Sequence, residues 1–118
     1  MGFKKYKWYK VADTVEGLRL TAGDICEVEV DGKKVCIGKS GEEWYGFAAS
    51  CPHAGAPMAE AYIDGVCRVV CPVHQLKFNL KTGRDANGDG YKLKMYPVEV
   101  RADGVFVGLE EGGLFKFF

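Results

Sequence analysis

Four side chains in this 118-residue chain have the types and spacing to hold a metal. Cys51 and His53 lie in C-P-H-A-G-A-P, and Cys71 and His74 lie in C-P-V-H. Each short Cys-Pro stretch supplies one thiolate and one imidazole, and seventeen residues separate C-x-H from C-x-x-H. The pattern predicts a metal held between two loop tips.

The arrangement of the ligands bears on which metal. Zinc takes mixed Cys and His ligands in a tetrahedron, but zinc-finger spacings pair cysteine with cysteine and histidine with histidine, the second pair on a helix. Here each loop mixes the two, and nothing helical follows. A mixed pair in each loop suits a binuclear cluster in which one iron takes both thiolates and the other both imidazoles, the ligation of a Rieske [2Fe–2S] centre. The two stretches, with Pro52, Gly55 and Pro72, resemble the Rieske family. The likeness runs from K-W-Y-K-V-A-D near the start to Y-P-V-E-V near the end.

That resemblance implies an all-β domain of antiparallel sheets, a sandwich or small barrel, with two cluster-binding loops as an appended tip. It implies one [2Fe–2S] cluster on Cys51, His53, Cys71 and His74. It also implies a one-electron carrier of the ferredoxin kind that serves aromatic-ring dioxygenase systems. Such a carrier takes its electron from a flavin- or NAD(P)H-dependent reductase and passes it to a terminal oxygenase or similar redox enzyme. The alternatives are a redox subunit of an assembly, such as the small subunit of an assimilatory nitrite reductase, and a zinc-stabilised interaction module. Two neutral imidazoles in place of thiolates leave the oxidised cluster formally about neutral, which raises its potential above that of plant-type ferredoxins.

Departures from the high-potential members lower that estimate. Ala56 and Val73 stand where those members carry a disulfide-forming pair of cysteines. Leu76 and Phe78 stand where they carry hydroxyls that donate to the cluster and its thiolate. Fewer donors to sulfur mean less stabilisation of added negative charge, so the expected potential is roughly −150 mV rather than +300 mV. Gln75 stands where many relatives have glycine.

The remaining composition narrows the function. His53 and His74 are the only histidines. Once they are ligands, no imidazole is left for acid–base work or a second iron site, and the expectation is an electron-transfer component with no catalytic residue. Sixteen Lys and Arg balance sixteen Asp and Glu, so no global field draws the chain to nucleic acid or an anionic membrane. No apolar run is long enough to span a bilayer, and no apolar core follows the basic residues near the N-terminus. The expectation is a single cytoplasmic domain over residues 1–118. Cys26, Cys36 and Cys67 are read as small buried hydrophobes in strands. A Cys26–Cys36 disulfide is within reach of adjacent strands but disfavoured in the cytosol.

Short alternating runs punctuated by Gly and Asp-Gly predict many short strands. These are Tyr6–Val11, Ile25–Val30, Lys34–Gly38, Trp44–Ala48, Val66–Val70, Leu76–Leu80, Lys92–Met95, Pro97–Arg101, Val105–Leu109 and Leu114–Phe118. Leu18 and Leu20 tuck in from a connection, Asp31-Gly32 marks a hairpin, and Met58–Ala61 forms one helical turn between the metal loops. Asp85–Gly90, D-A-N-G-D-G, begins like a calcium loop but has Tyr96 where the twelfth-position Glu belongs, so it is read as a solvated turn. Trp8, Tyr9, Trp44, Tyr45, Phe47 and Phe115 are assigned to the β core.

Overall fold

The alternation of apolar residues resolves into three antiparallel sheets in a computed structural model that describes residues 5–53, 55–73 and 75–111. The strands are β1 (Tyr6–Ala12), β2 (Ile25–Val30), β3 (Lys33–Ser40), β4 (Glu43–Ala48), β5 (Tyr62–Ile63), β6 (Arg68–Val70), β7 (Lys77–Asn79), β8 (Met95–Tyr96), β9 (Val98–Arg101) and β10 (Gly104–Glu110). They form a three-stranded sheet β1-β10-β9, a four-stranded sheet β2-β3-β4-β8, and a small sheet β5-β6-β7. The expected strand at Leu114–Phe118, with Phe115, lies outside the described residues. No described helix is long and apolar enough to cross a membrane.

The four-stranded sheet is the middle layer because its strands are apolar on both faces. Cys26, Val30, Val35 and Ile37 pack with Val105 and Val107 of β10 and with Leu18. Ile25, Cys36 and Phe47 point the other way, into a core shared with Cys51, Cys71, Leu76 and Phe78. A strand side chain alternates between faces with period two, so one sheet separates a structural core from the core beneath the metal loops. Register decides the cysteine question: Cys26 pairs with Ile37, whereas Cys36 pairs with Glu27. Directly paired residues share a face, so the two thiols face opposite cores, and both are free. Burial raises the Cys26 thiol, and burial above all, then Glu27 and Cys26, pushes Cys36 up to about 12. Both act as small neutral core residues.

Turn chemistry sets the hairpins. Asp31 and Gly32 have φ of 51° and 78°, the left-handed pair that a two-residue type I′ hairpin requires. Several strand expectations need correction. β8 is Met95–Tyr96, because Lys92 makes only an isolated bridge to Arg84. β5 is not among the expected strands; two residues suffice for it because Ile63 N–H also donates to Gly23 C=O at 3.0 Å. Val66 and Cys67 are not strand. Cys67 is partly exposed with φ of 64°, in the turn that leads to β6. Asp64 builds that turn, accepting from the amides of Val66 (2.9 Å) and Arg68 (3.0 Å) and pairing with the Arg68 guanidinium at 2.7 Å. Of the described aromatics assigned to the core, Phe47 is fully enclosed, while Trp8, Tyr9, Trp44 and Tyr45 are half-buried along the margins.

Candidate metal centre

Two loops rise side by side from strand ends. The first follows β4 and leads into a single 3-10 turn at Met58–Glu60; the second joins β6 to β7. They are built alike. Cys51 N–H donates to Ala56 C=O at 2.9 Å, and Cys71 N–H donates to Leu76 C=O at 2.8 Å, so each loop is closed by the same bond from its cysteine to the fifth residue on. The fourth residue after each cysteine is left-handed: Gly55 has φ of 70° and Gln75 has φ of 52°. Glycine adopts that conformation freely, whereas a side chain with a Cβ is strained there by about 1–2 kcal/mol. Gln75 therefore sits at the glycine position of the second loop. Gln75→Gly is expected to raise the thermal midpoint of the metal-loaded protein, stabilising it by up to about 1 kcal/mol; a fall of similar size would show that the amide makes a contact worth more than the strain.

Both thiols belong to the core. Cys51 is 3% exposed and Cys71 fully enclosed; both belong to one core, and neither is in a disulfide. Burial pushes the Cys71 thiol up, the Val73 amide opposes this by donating to the sulfur, and Cys51 raises it further. The Cys71 thiol, enclosed in that apolar core, resists ionisation until a metal draws off its proton. His53, half-exposed, has its Nδ1 buried. His74 lies outside the described residues, so three of the four expected ligands have a described position. Among the described residues no three Cys, His, Asp or Glu side chains close around one ion. A two-iron cluster divides its ligands between two metals and needs no such convergence. The donor set fits a cluster that would be held by the thiolates of Cys51 and Cys71 and a nitrogen of His53.

Leu76 and Phe78, 7% exposed and fully enclosed respectively, belong to the same core as the thiols. They face apolar neighbours and offer no hydroxyl to the sulfurs. Ala56 is buried, and Val73 is exposed at the tip.

A third segment completes the tip. Residues 86–91 form the exposed turn expected, but the Asp85 side chain at its head is buried. Asp85 is 8% exposed, and it accepts from the amides of Asp89 at 2.9 Å and Tyr91 at 2.7 Å. Burial opposes ionisation of this carboxyl, but the amides of Asp89, Tyr91, Gly88 and Asn87 prevail and hold its pKa below the usual value. The signal was the D-A-N-G-D-G run itself, whose leading Asp caps backbone amides instead of a cation. The stability this carboxylate adds is fully present above its unfolded pKa of about 3.9 and is lost as pH falls through the lowered folded value. The thermal-stability gap between wild type and Asp85→Asn should therefore close on acidification below about pH 4; a gap that stays constant with pH would contradict the loop geometry.

An all-β domain whose paired Cys-Pro loops enclose two thiols in a common core is built as an iron–sulfur protein is. The Rieske [2Fe-2S] domain model matches residues 7–97, and the chain belongs to that family, whose cofactor is a [2Fe–2S] cluster. It is 30% identical over 104 residues to the ferredoxin component of a naphthalene 1,2-dioxygenase system from Pseudomonas aeruginosa, covering 87% of this chain and 96% of that one. A chain of the complex of reduced oxygenase and oxidised ferredoxin in carbazole 1,9a-dioxygenase superposes with a TM-score of 0.73 at 28% identity, covering 89% of this chain and 95% of that one. A putative NADH-dependent nitrite reductase small subunit from Mycobacterium tuberculosis superposes with a TM-score of 0.75 at 18% identity, covering 94% and 100% of the two chains. That last likeness is one of fold alone.

Proposed function

We propose that this chain is the ferredoxin of a multicomponent oxygenase system, a one-electron carrier rather than a catalyst. In this reading Cys51 and Cys71 bind one iron, and His53 and His74 bind the other. A flavin- or NAD(P)H-dependent reductase supplies the electron, and a terminal oxygenase receives it. The observation that carries the reading is a pair of enclosed thiols in one core, on two loops closed by the same bond. The named dioxygenase relative, a ferredoxin component of nearly the same extent, supports it. An electron drawn from NAD(P)H places the protein in the cytoplasm, and residues 1–118 act as one domain.

When bound, the cluster supplies reversible one-electron chemistry at a single iron. The chain supplies the setting. The apolar core behind Cys51 and Cys71 keeps water from the sulfurs. The Val73 amide donates to Cys71 and so favours negative charge there. His53 lies at the half-exposed edge of the tip.

A potentiometric titration followed by EPR tests this function. One electron per chain and a midpoint near the low end of the Rieske range, roughly −150 mV, are expected, since Leu76 and Phe78 give the sulfurs no hydroxyl donor. A strongly positive midpoint would overturn the low-potential carrier. Purification from its source in a tight complex with a large sirohaem subunit would instead favour the nitrite reductase alternative.

A further inference from the structure

The two loops that carry the expected ligands are joined by no disulfide, since Cys51 and Cys71 are free. Something else must hold them in register. The hairpin of residues 84–92 is tied to the second loop's strand: Ala86 N–H donates to Lys77 C=O at 2.7 Å, and Asp85 bridges to Phe78 of β7. The same hairpin reaches across to the first loop. The Tyr91 ring meets the His53 imidazole at a centroid distance of 4.8 Å, with planes 77° apart. Aromatic rings attract in this edge-to-face geometry. The Tyr91 backbone is fixed on both sides, its N–H on Asp85 Oδ2 at 2.7 Å and its C=O on Asp85 N–H at 3.1 Å. Tyr91 is therefore anchored to the second loop's strand while its ring rests on a residue of the first.

We propose that Tyr91 is a positioning residue: clamped by Asp85, it braces the His53 loop against the Cys71 loop and sets the orientation of the imidazole. The proposal rests on the reading of His53 as a ligand. It explains why an aromatic that is 38% exposed stands at the metal tip and why a loop of calcium-like sequence is closed by its own carboxylate. The contact described is that of the ring, which Tyr91→Phe keeps. Tyr91→Phe should then behave as wild type, whereas Tyr91→Ala should free the imidazole. Because Tyr91 lies on the surface, its truncation leaves both cores intact and the protein folded.

The test uses the metal-loaded full chain. Bleaching of the visible absorbance is followed after addition of an excess of a ferrous chelator under reducing conditions, and the reduced EPR spectrum is recorded. Tyr91→Ala should lose its colour about threefold to tenfold faster than wild type, the worth of one aromatic pair, and its g-values should shift. Tyr91→Phe should restore both, and Asp85→Asn, which loosens the anchor but keeps the ring, should bleach at an intermediate rate. Equal bleaching rates and superimposable spectra for wild type and Tyr91→Ala would overturn the brace while leaving the ligand reading intact. Faster bleaching with an unchanged EPR spectrum and a matching drop in thermal midpoint would reduce Tyr91 to general packing and overturn its positioning role. A wild-type protein without iron would remove both the brace and the ligand reading beneath it.

Discussion

Replacing His74 with Cys is expected to lower the midpoint potential by on the order of 100 mV while the protein still binds iron. A thiolate in place of a neutral imidazole adds a unit of negative charge at the metal. Each further electron then enters a more negative site, at an electrostatic cost that lowers the potential. The gap between Rieske and plant-type centres, two such exchanges apart, is at least about 250 mV, and one exchange should recover a large part of it. His53→Cys should shift the midpoint in the same direction, which makes the pair a test of both imidazoles. Spectroelectrochemical titration of the two variants beside wild type decides the matter. A variant that keeps the wild-type midpoint removes that histidine from the ligand set.

Phe78→Ala should destabilise the protein by about 3–5 kcal/mol, a large part of the 5–15 kcal/mol that folds an ordinary domain. Phe78 is fully enclosed, pairs with Val69 across β6 and β7, and shares a core with Cys51, Cys71 and Leu76. Its removal leaves a cavity beneath the hairpin that carries the second metal loop, so faster loss of metal should accompany the loss of stability. Denaturant unfolding of the metal-loaded variant measures this through the shift in midpoint at constant slope. A loss below about 1 kcal/mol would mean that the loops fold independently of that core.

How much of this could be read from the sequence depended on how tightly the physics ties residue type to place. Metal ligation demands particular atoms at particular spacings, so the two Cys-Pro loops stood out before any strand was placed. The Asp31-Gly32 hairpin was equally clear, because few residue pairs adopt its backbone. The left-handed backbone of Cys67 left no trace, since cysteine does not prefer that conformation; that of Gln75 was hinted at only by its standing where many relatives have glycine. β5 is too short for periodicity to reveal and exists through its tertiary partner Gly23. The turn after Asp85 was legible, but the burial of its leading carboxylate was not, because a carboxylate that gathers backbone amides and one that gathers a cation draw on the same residues, Asp, Asn and Gly. Half-buried Trp8, Tyr9, Trp44 and Tyr45 reflect the surplus of aromatic surface that a chain of this size cannot fully enclose. The contact between Tyr91 and His53 joins segments almost forty positions apart, which no local pattern encodes.

Mössbauer spectroscopy of iron-57-enriched protein, oxidised and then reduced by one electron, examines the ligand asymmetry most directly. Two distinguishable ferric sites should appear, of which one alone, the nitrogen-ligated iron, becomes ferrous. Two equivalent irons, or a colourless preparation that holds zinc and no acid-labile sulfide, would contradict the assignment of Cys51 and Cys71 to one metal and His53 and His74 to the other.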